Sequence, residues 1–359
     1  MRIITVLGTR PEIIRLSLII KKLDGVNDHI LIHTGQNYVP ELNDIFFEEL
    51  DLRSPNYYLN AKSTSFGEQL SIILKEIEKI FKKLKPDKVL ILGDTNSGLA
   101  AIIAERMMIP VYHMEAGNRC FDLKVPEEKN RKIIDAISTF ALPYTPNSRE
   151  NLIREGIPKN RIFISGNPIY EVLMSYMDKI EKSLILSTLH LKPKEYFLVT
   201  AHRAENVDSK DRLEQLFNGL DLVANKFNLP IICSIHPRTR NKLEEFNIEI
   251  NNPNITLMKP FGFFDFVKLE KNAKLVFTDS GTVQEECCIF NIPTVTTRDT
   301  TERPETVECG SNIISGLNSN DILSCAETML ARNNDWEYPI GYIDNNVSDK
   351  IVKYLNGVI

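Results

Sequence analysis

Residues 113–131, HMEAGNRCFDLKVPEEKNR, bring together Glu115, Glu127 and Glu128, the arginines Arg119 and Arg131, and His113. A plain connecting loop does not need such a set. It follows an apolar run, Ile109 to Val111, that reads as a strand. Ligands of α/β sheets bind at strand ends, and carboxylates crowded there have shifted acidities. The residue types point to acid/base chemistry in this segment, with other strand-end loops delivering an anionic substrate.

Those loops are identifiable. The first apolar run leads into Gly8-Thr9-Arg10-Pro11-Glu12, with Arg15 one turn further on. A helix N-terminus with an arginine fork can hold a phosphate, although an N-capped helix with an incidental arginine fits equally. The spacing is not GxGxxG, so no dinucleotide fingerprint is present. A third strand ends in Gly93-Asp94-Thr95-Asn96-Ser97, where Asp94 either caps the next helix or faces a ligand beside Glu115. Pro126-Glu127-Glu128 looks like a helix start, and Arg131 is placed to pair with either glutamate.

In the second half, His202-Arg203 suits an anionic leaving group. His236 follows another strand and is either a ligand or a structural histidine. Asp279-Ser280-Gly281-Thr282 opens a helix in a phosphate-cradling arrangement, with Glu286 one turn inside, where an acidic residue can take ribose hydroxyls. Arg298 to Glu305 is a further arginine-bearing turn that includes Arg303. The co-occurrence of these loops argues for one cleft that binds a diphosphate with carboxylates opposite it.

Positioning such loops needs parallel sheets. Strands are expected at Arg2–Leu7, His29–His33, Lys88–Leu92, Ile109–Met114, Thr139–Tyr144 and Arg161–Ser165. After a polar connector, Asp178–Lys194, they resume at Tyr196–Thr200, Pro230–Ile235, Ile255–Met258, Lys274–Thr278, Pro293–Thr297 and Asn312–Ser315. Amphipathic helices alternate with them, most clearly Ser65–Leu84. The pattern predicts an α/β chain of two Rossmann-like, doubly wound domains facing a cleft. With 359 residues, the chain exceeds one ordinary core.

Apolar content of 43% and charged content of 25% are ordinary for a globular protein. A net charge of −5 without a dominant basic patch argues against nucleic acid as a partner. No apolar run is long enough to span a membrane and no signal peptide is apparent, so a cytoplasmic protein is expected. The six cysteines are scattered without metal-ligand spacing and read as reduced thiols.

In chain order, GTRPE, GDT, HMEAG, VPEEKNR, AHR, TDSGTVQEE and RDTTERPE resemble the motifs of the non-hydrolysing UDP-N-acetylglucosamine 2-epimerase family, from Met1 to about Gly316. HTGQNYVPELNDIFFEELDL, EAGNRCFD, HPRTR and KPFGFFDFVKL are similar to the branch that makes UDP-N-acetyl-L-fucosamine from UDP-2-acetamido-2,6-dideoxy-L-talose, for capsule and O-antigen synthesis.

The resemblance implies a glycosyltransferase-B fold. Its expected parts are an N-terminal domain over 1–168, a UDP-binding domain over 169–343, and a last helix over 344–359 that packs back on the first domain. It implies anti elimination of UDP to a 2-acetamidoglycal, then re-addition after C2 is reprotonated from the other face. By motif match, Asp94, Glu115, Glu127 and His202 resemble the family's catalytic residues. Arg10, Arg15, Arg131, His236, Ser280, Gly281, Glu286 and Arg303 match substrate- or UDP-binding positions. Neither a cofactor nor a metal is implied; a homodimer is, by analogy. The chain departs from the glucosamine branch at Arg15, commonly lysine there, at EAGNRCFD, and at Gln36-Asn37-Tyr38. These changes favour the deoxy-sugar substrate and weigh against allosteric activation by UDP-GlcNAc. Competing readings are a UDP-sugar-dependent glycosyltransferase, a hydrolysing epimerase and a non-catalytic UDP-binding protein.

Overall fold

The computed structural model describes residues 1–35 and 40–357, without the side chains of 40–44. Gln36, Asn37 and Tyr38 lie outside the described residues. The chain forms two units, Met1–Ser175 with Ile340–Ile359, and Tyr176–Pro339. The sequence reading had placed these divisions after residues 168 and 343. Helix Ile169–Ser175 goes with the first unit because it packs on helix Arg10–Val26.

The first unit is built on six parallel strands: β1 (Arg2–Leu7), β2 (Asp28–His33), β3 (Tyr57–Tyr58), β4 (Lys88–Leu92), β5 (Val111–Met114) and β6 (Phe140–Leu142). Their order is β3-β2-β1-β4-β5-β6. The order reverses between β1 and β4, and such a switch point opens a crevice at the carboxyl ends of the strands. The central strands are apolar on both faces, and Ile3, Ile4, Val6, Leu7, Leu90 and Ile91 have no exposed surface. That continuous apolar run is what a sheet covered by helices on both sides requires. Helix Phe66–Leu84 shows the matching periodicity, burying Ile73, Ile77, Ile80 and Phe81, and Ser65 caps it by accepting from the Glu68 N–H.

The second unit repeats the plan with β7 (Phe197–Ala201), β8 (Ile231–Ile235), β9 (Ile255–Met258), β10 (Leu275–Thr278), β11 (Thr294–Thr296) and β12 (Asn312–Ile314). Here the order is β12-β11-β10-β7-β8-β9, again parallel, with the switch between β10 and β7.

Two expectations change. The two-residue β3 makes Lys88–Leu92 the fourth strand rather than the third. Arg161–Ser165 is not a strand: residues Lys159–Arg161 turn as a 3-10 helix, and a single bridge, Ala141 to Ile162, touches β6. Gly166 then breaks the extension with φ +84°, at a place where a Cβ would meet Asp344 Oδ2 at 2.5 Å.

Candidate active site

In the first unit, Asp94 and Glu115 follow neighbouring strands, β4 and β5, whose last residues Leu92 and Met114 are in register. Each pairs with a buried arginine. Arg131 Nη2 lies 2.5 Å from Asp94 Oδ2. Arg15, on helix Arg10–Val26, pairs with Glu115 across 100 residues of sequence. Glu115 itself has φ +65°, a left-handed conformation that a side chain rarely adopts without a structural reason. Its N–H donates to Leu142 O at 3.1 Å. The turn therefore fixes where the Glu115 carboxylate sits.

Glu127 is partly exposed in the first turn of helix Pro126–Ile137 and lies one turn before Arg131. Glu128 has a different task. It is buried, pairs with Arg131 at 2.9 Å, and accepts from the N–H groups of Cys120 and Phe121 at 3.1 and 3.2 Å. It folds the 118–125 loop onto the helix. Arg131 thus pairs with Glu128, one of the two glutamates its spacing allows, and also with Asp94 from another strand-end loop. Asn130 Nδ2 donates to Asp94 O at 2.9 Å, which holds the same loop from a second side.

His113 serves the scaffold. Fully buried, its Nδ1 lies 2.7 Å from Asp135 Oδ1 and its Nε2 2.8 Å from Gly93 O. Asp135 also accepts from the Gly117 N–H at 3.0 Å and pairs with Arg119. Burial pushes Asp135 up, but His113 and Arg119 outweigh it and hold the carboxyl below the usual range. This network ties the loops after β4 and β5 together.

Glu12, within GTRPE, is a working part of the turn that the sequence reading does not single out. Its Oε2 accepts from the Gly8 N–H, the Thr9 N–H and Thr9 Oγ1 at 2.8, 2.7 and 2.7 Å. Its Oε1 accepts from Thr95 Oγ1 at 2.9 Å. Burial pushes it up to about 7, with the hydrogen bonds from Thr9, Gly8 and Thr95 offsetting only part. The Thr-x-x-Glu spacing at residues 9–12 is a capping box and could have been read as such. Arg10, partly exposed on the same turn, lies 5.6 Å from the Phe46 ring centroid.

In the second unit the loops after β10, β7 and β8 are neighbours. Asp279, fully buried, joins two of them: Oδ2 accepts from the His202 and Arg203 N–H groups at 2.8 and 2.9 Å, and Oδ1 lies 2.9 Å from His202 Nδ1. Burial raises Asp279, yet the His202 ring and these N–H groups prevail and bring it down to about 2. His202 is 42% exposed at its side chain, so the buried acid orients a ring whose Nε2 is left for other partners. Asp279 was missed as a working residue, although its place directly after a strand was the available signal.

Ser280 occupies the N-cap position of helix Gly281–Ile289 without a side-chain capping hydrogen bond, and a Cβ on Gly281 would meet Glu302 Oε1 at 2.6 Å. Glu286 is buried one turn into that helix. Arg303 Nε lies 2.5 Å from Glu285 Oε1. His236 is exposed and caps helix Pro237–Glu245, its Nδ1 accepting from the Arg238 N–H at 3.2 Å. Among the described residues, no group of three or more His, Cys, Asp or Glu is placed to hold a metal ion, and no helix is long and apolar enough to cross a membrane.

The family model described as UDP-N-acetylglucosamine 2-epimerase matches residues 21–356. The chain belongs to the UDP-N-acetylglucosamine 2-epimerase family. As a member of this epimerase family it is an isomerase, built of two Rossmann-like units as in the glycosyltransferase-B class. It is 44% identical to a UDP-N-acetylglucosamine 2-epimerase of Methanocaldococcus jannaschii, over 99% of both chains. A crystal structure of the Methanocaldococcus jannaschii UDP-GlcNAc 2-epimerase in complex with UDP-GlcNAc and UDP superposes with a TM-score of 0.94, at 44% identity and 99% coverage of each chain. At 32% identity over 99% of both chains, it also matches a UDP-2,3-diacetamido-2,3-dideoxy-D-glucuronate 2-epimerase of Pseudomonas aeruginosa.

Proposed function

We propose that this epimerase inverts C2 of a UDP-activated N-acetylhexosamine by eliminating UDP and adding it back. The observation that carries the reading is the delivery of Asp94 and Glu115 by neighbouring strands, each fixed by a buried arginine. The C2 proton is barely acidic, because no carbonyl adjoins that carbon. The C1–O bond to UDP therefore breaks ahead of proton loss, and carboxylates stabilise the oxocarbenium-like charge. In this reading Glu127 and Asp94 serve the two faces of C2, Glu115 stabilises charge, and His202 assists the departing phosphate. Arg10, His236, Ser280, Gly281 and Glu286 bind UDP; Arg15, Arg131 and Arg303 serve the sugar or phosphates. UDP-GlcNAc is the first substrate to consider, because the Methanocaldococcus relative bears that name.

A second substrate has support of its own. Arg15, at a position commonly lysine in the glucosamine branch, and the HPRTR segment favour UDP-2-acetamido-2,6-dideoxy-L-talose. Its product, UDP-N-acetyl-L-fucosamine, would feed capsule or O-antigen synthesis. We further propose a cytoplasmic homodimer, which light scattering after gel filtration checks.

Each UDP-sugar incubated alone in D2O and followed by NMR tests the reaction. Deuterium is expected at C2 with both epimers present. A sugar that stays inert until an acceptor is added would identify a glycosyltransferase instead, and release of free sugar with UDP a hydrolysing enzyme. Glu127→Gln is expected to keep UDP affinity and lose exchange; a mutant with full exchange removes Glu127 from the mechanism.

A further inference from the structure

Glu12 is a carboxylate buried at the switch point of the first sheet, between the turn that follows β1 and the loop that follows β4. Its four hydrogen bonds divide unevenly. Three bind the Gly8–Thr9 turn at Oε2, and one, from Thr95 Oγ1, reaches Oε1. Thr95 in turn accepts the Ser97 N–H at 3.2 Å and adjoins Asp94. The Asp94 carboxylate is held by Arg131 and its carbonyl by Asn130. The Glu12–Thr95 bond adds a tie from the β1 side.

We propose that Glu12 is a positioning residue of the epimerisation, whose carboxylate sets the Asp94 loop relative to the Arg10 turn by accepting from Thr95. This rests on the reading above that Asp94 handles the C2 proton.

The protonation state matters because Thr95 Oγ1 has one hydrogen. With Glu12 ionised, that hydrogen goes to Oε1 while the oxygen accepts from Ser97. A proton on Oε1 turns the carboxyl into a donor facing a donor, so the Thr95 link must reverse or break while the Oε2 bonds to Gly8 and Thr9 survive. Burial places this change at about 7. The charged neighbours have partners of their own: Arg10 lies over Phe46, Arg15 pairs with Glu115, and Asp94 pairs with Arg131. His33, at the end of β2, accepts from the Gly35 N–H through Nδ1. Even a reversed link costs Thr95 its O–H donation to Glu12 and puts two donors, the Glu12 Oε1–H and the Ser97 N–H, on one oxygen, so the acid form of Glu12 weakens the tie to the Asp94 loop while leaving the Oε2 bonds in place.

Glu12→Gln imitates that form. Its carbonyl can keep the Gly8 and Thr9 N–H groups, while its amide donates toward Thr95. In the full-length enzyme, kcat for C2 exchange is expected to fall roughly 10- to 100-fold, the scale of a small misplacement of a reacting group. KM should stay within about twofold, as expected when transition-state rather than ground-state contacts are lost. Wild-type kcat should fall below about pH 7 as Glu12 takes up its proton, and the variant should show no such fall. Thr95→Val should lower kcat in the same way, Thr95→Ser should restore it, and the double variant should be no worse than Glu12→Gln. A Glu12→Gln enzyme with wild-type kcat and an unchanged acid limb overturns the proposal. Hydrogen exchange of the 94–100 segment, measured without substrate, separates this from failure of the functional reading. Faster exchange in Glu12→Gln keeps the tie even if the wild type epimerises nothing, and unchanged exchange refutes it.

Discussion

Glu12 and Asp279 are both buried carboxylates that accept several hydrogen bonds, and their acidities move in opposite directions. Glu12 has no cation against it, so burial wins and it rises to about 7. Asp279 has the His202 ring and two N–H groups, and falls to about 2. Their effects on stability are opposite by linkage. Glu12 contributes stability that is fully present below its usual 4.5 and is lost as pH rises through about 7. Asp279 contributes above its usual 3.8, and that contribution is lost as pH falls toward 2. Thermal denaturation of Glu12→Gln should accordingly show a higher Tm than wild type at pH 8, with the advantage gone by pH 5. Asp279→Asn should show the reverse, losing roughly 1–3 kcal/mol at neutral pH because a buried amide leaves donors and acceptors mismatched. It should also drive His202 toward the Nε2–H tautomer, visible in 15N spectra. If His202 assists the departing phosphate as proposed, kcat should fall on the order of 10⁴-fold, as when a catalytic histidine is held in the wrong tautomer. A His202 tautomer unaffected by Asp279→Asn would remove the acid from this role.

At the scale of elements, the strand-end loops proposed to carry the chemistry were readable as loops because their signal is local: an apolar run, a turn residue, then Arg, His, Asp or Glu. Partner choice was not local. Arg15 and Glu115 lie 100 positions apart, and no spacing rule reaches that far. Arg131 illustrates the same limit at short range, since its second partner, Asp94, arrives from another strand. Strand β3 escaped notice because two residues carry no periodicity, and residues 161–165 misled because an extended edge segment has strand-like composition although it makes only one bridge to β6. Close packing of turns was equally hidden. Gly117 has φ +80°, and a Cβ there would come 2.1 Å from Ser148 O. Its N–H also feeds Asp135 in the network that fixes the loops after β4 and β5. Gly117→Ala should therefore cost more than about 2 kcal/mol, since neither the backbone angle nor the neighbouring helix can accommodate it. Urea unfolding measures this; a loss below 0.5 kcal/mol, roughly the effect of an ordinary surface change, would contradict it.

At the scale of the molecule, the chain leaves the first unit after Ser175 and returns to it at Ile340. The returning helix, Val347–Asn356, lies on helix Arg10–Val26, and Val347, Ile351 and Leu355 are fully buried. Tyr354 stacks on Phe163 with ring centroids 4.4 Å apart and meets Tyr112 and Phe140 edge-on. The Ser348 N–H donates to Glu171 Oε2 at 2.8 Å, joining this helix to Ile169–Ser175. Burying three such aliphatic side chains stabilises by roughly 4–9 kcal/mol in total, comparable to the whole stability of a typical domain. A chain ending at Asn346 should therefore lose the first unit while the second, whose sheet and core are complete without it, still unfolds cooperatively. Differential scanning calorimetry should then retain one transition, and UDP should raise it if Ser280, Gly281 and Glu286 bind the nucleotide, because a ligand stabilises only the state it binds. Retention of both transitions in the truncated chain would mean that the first unit folds without its last helix.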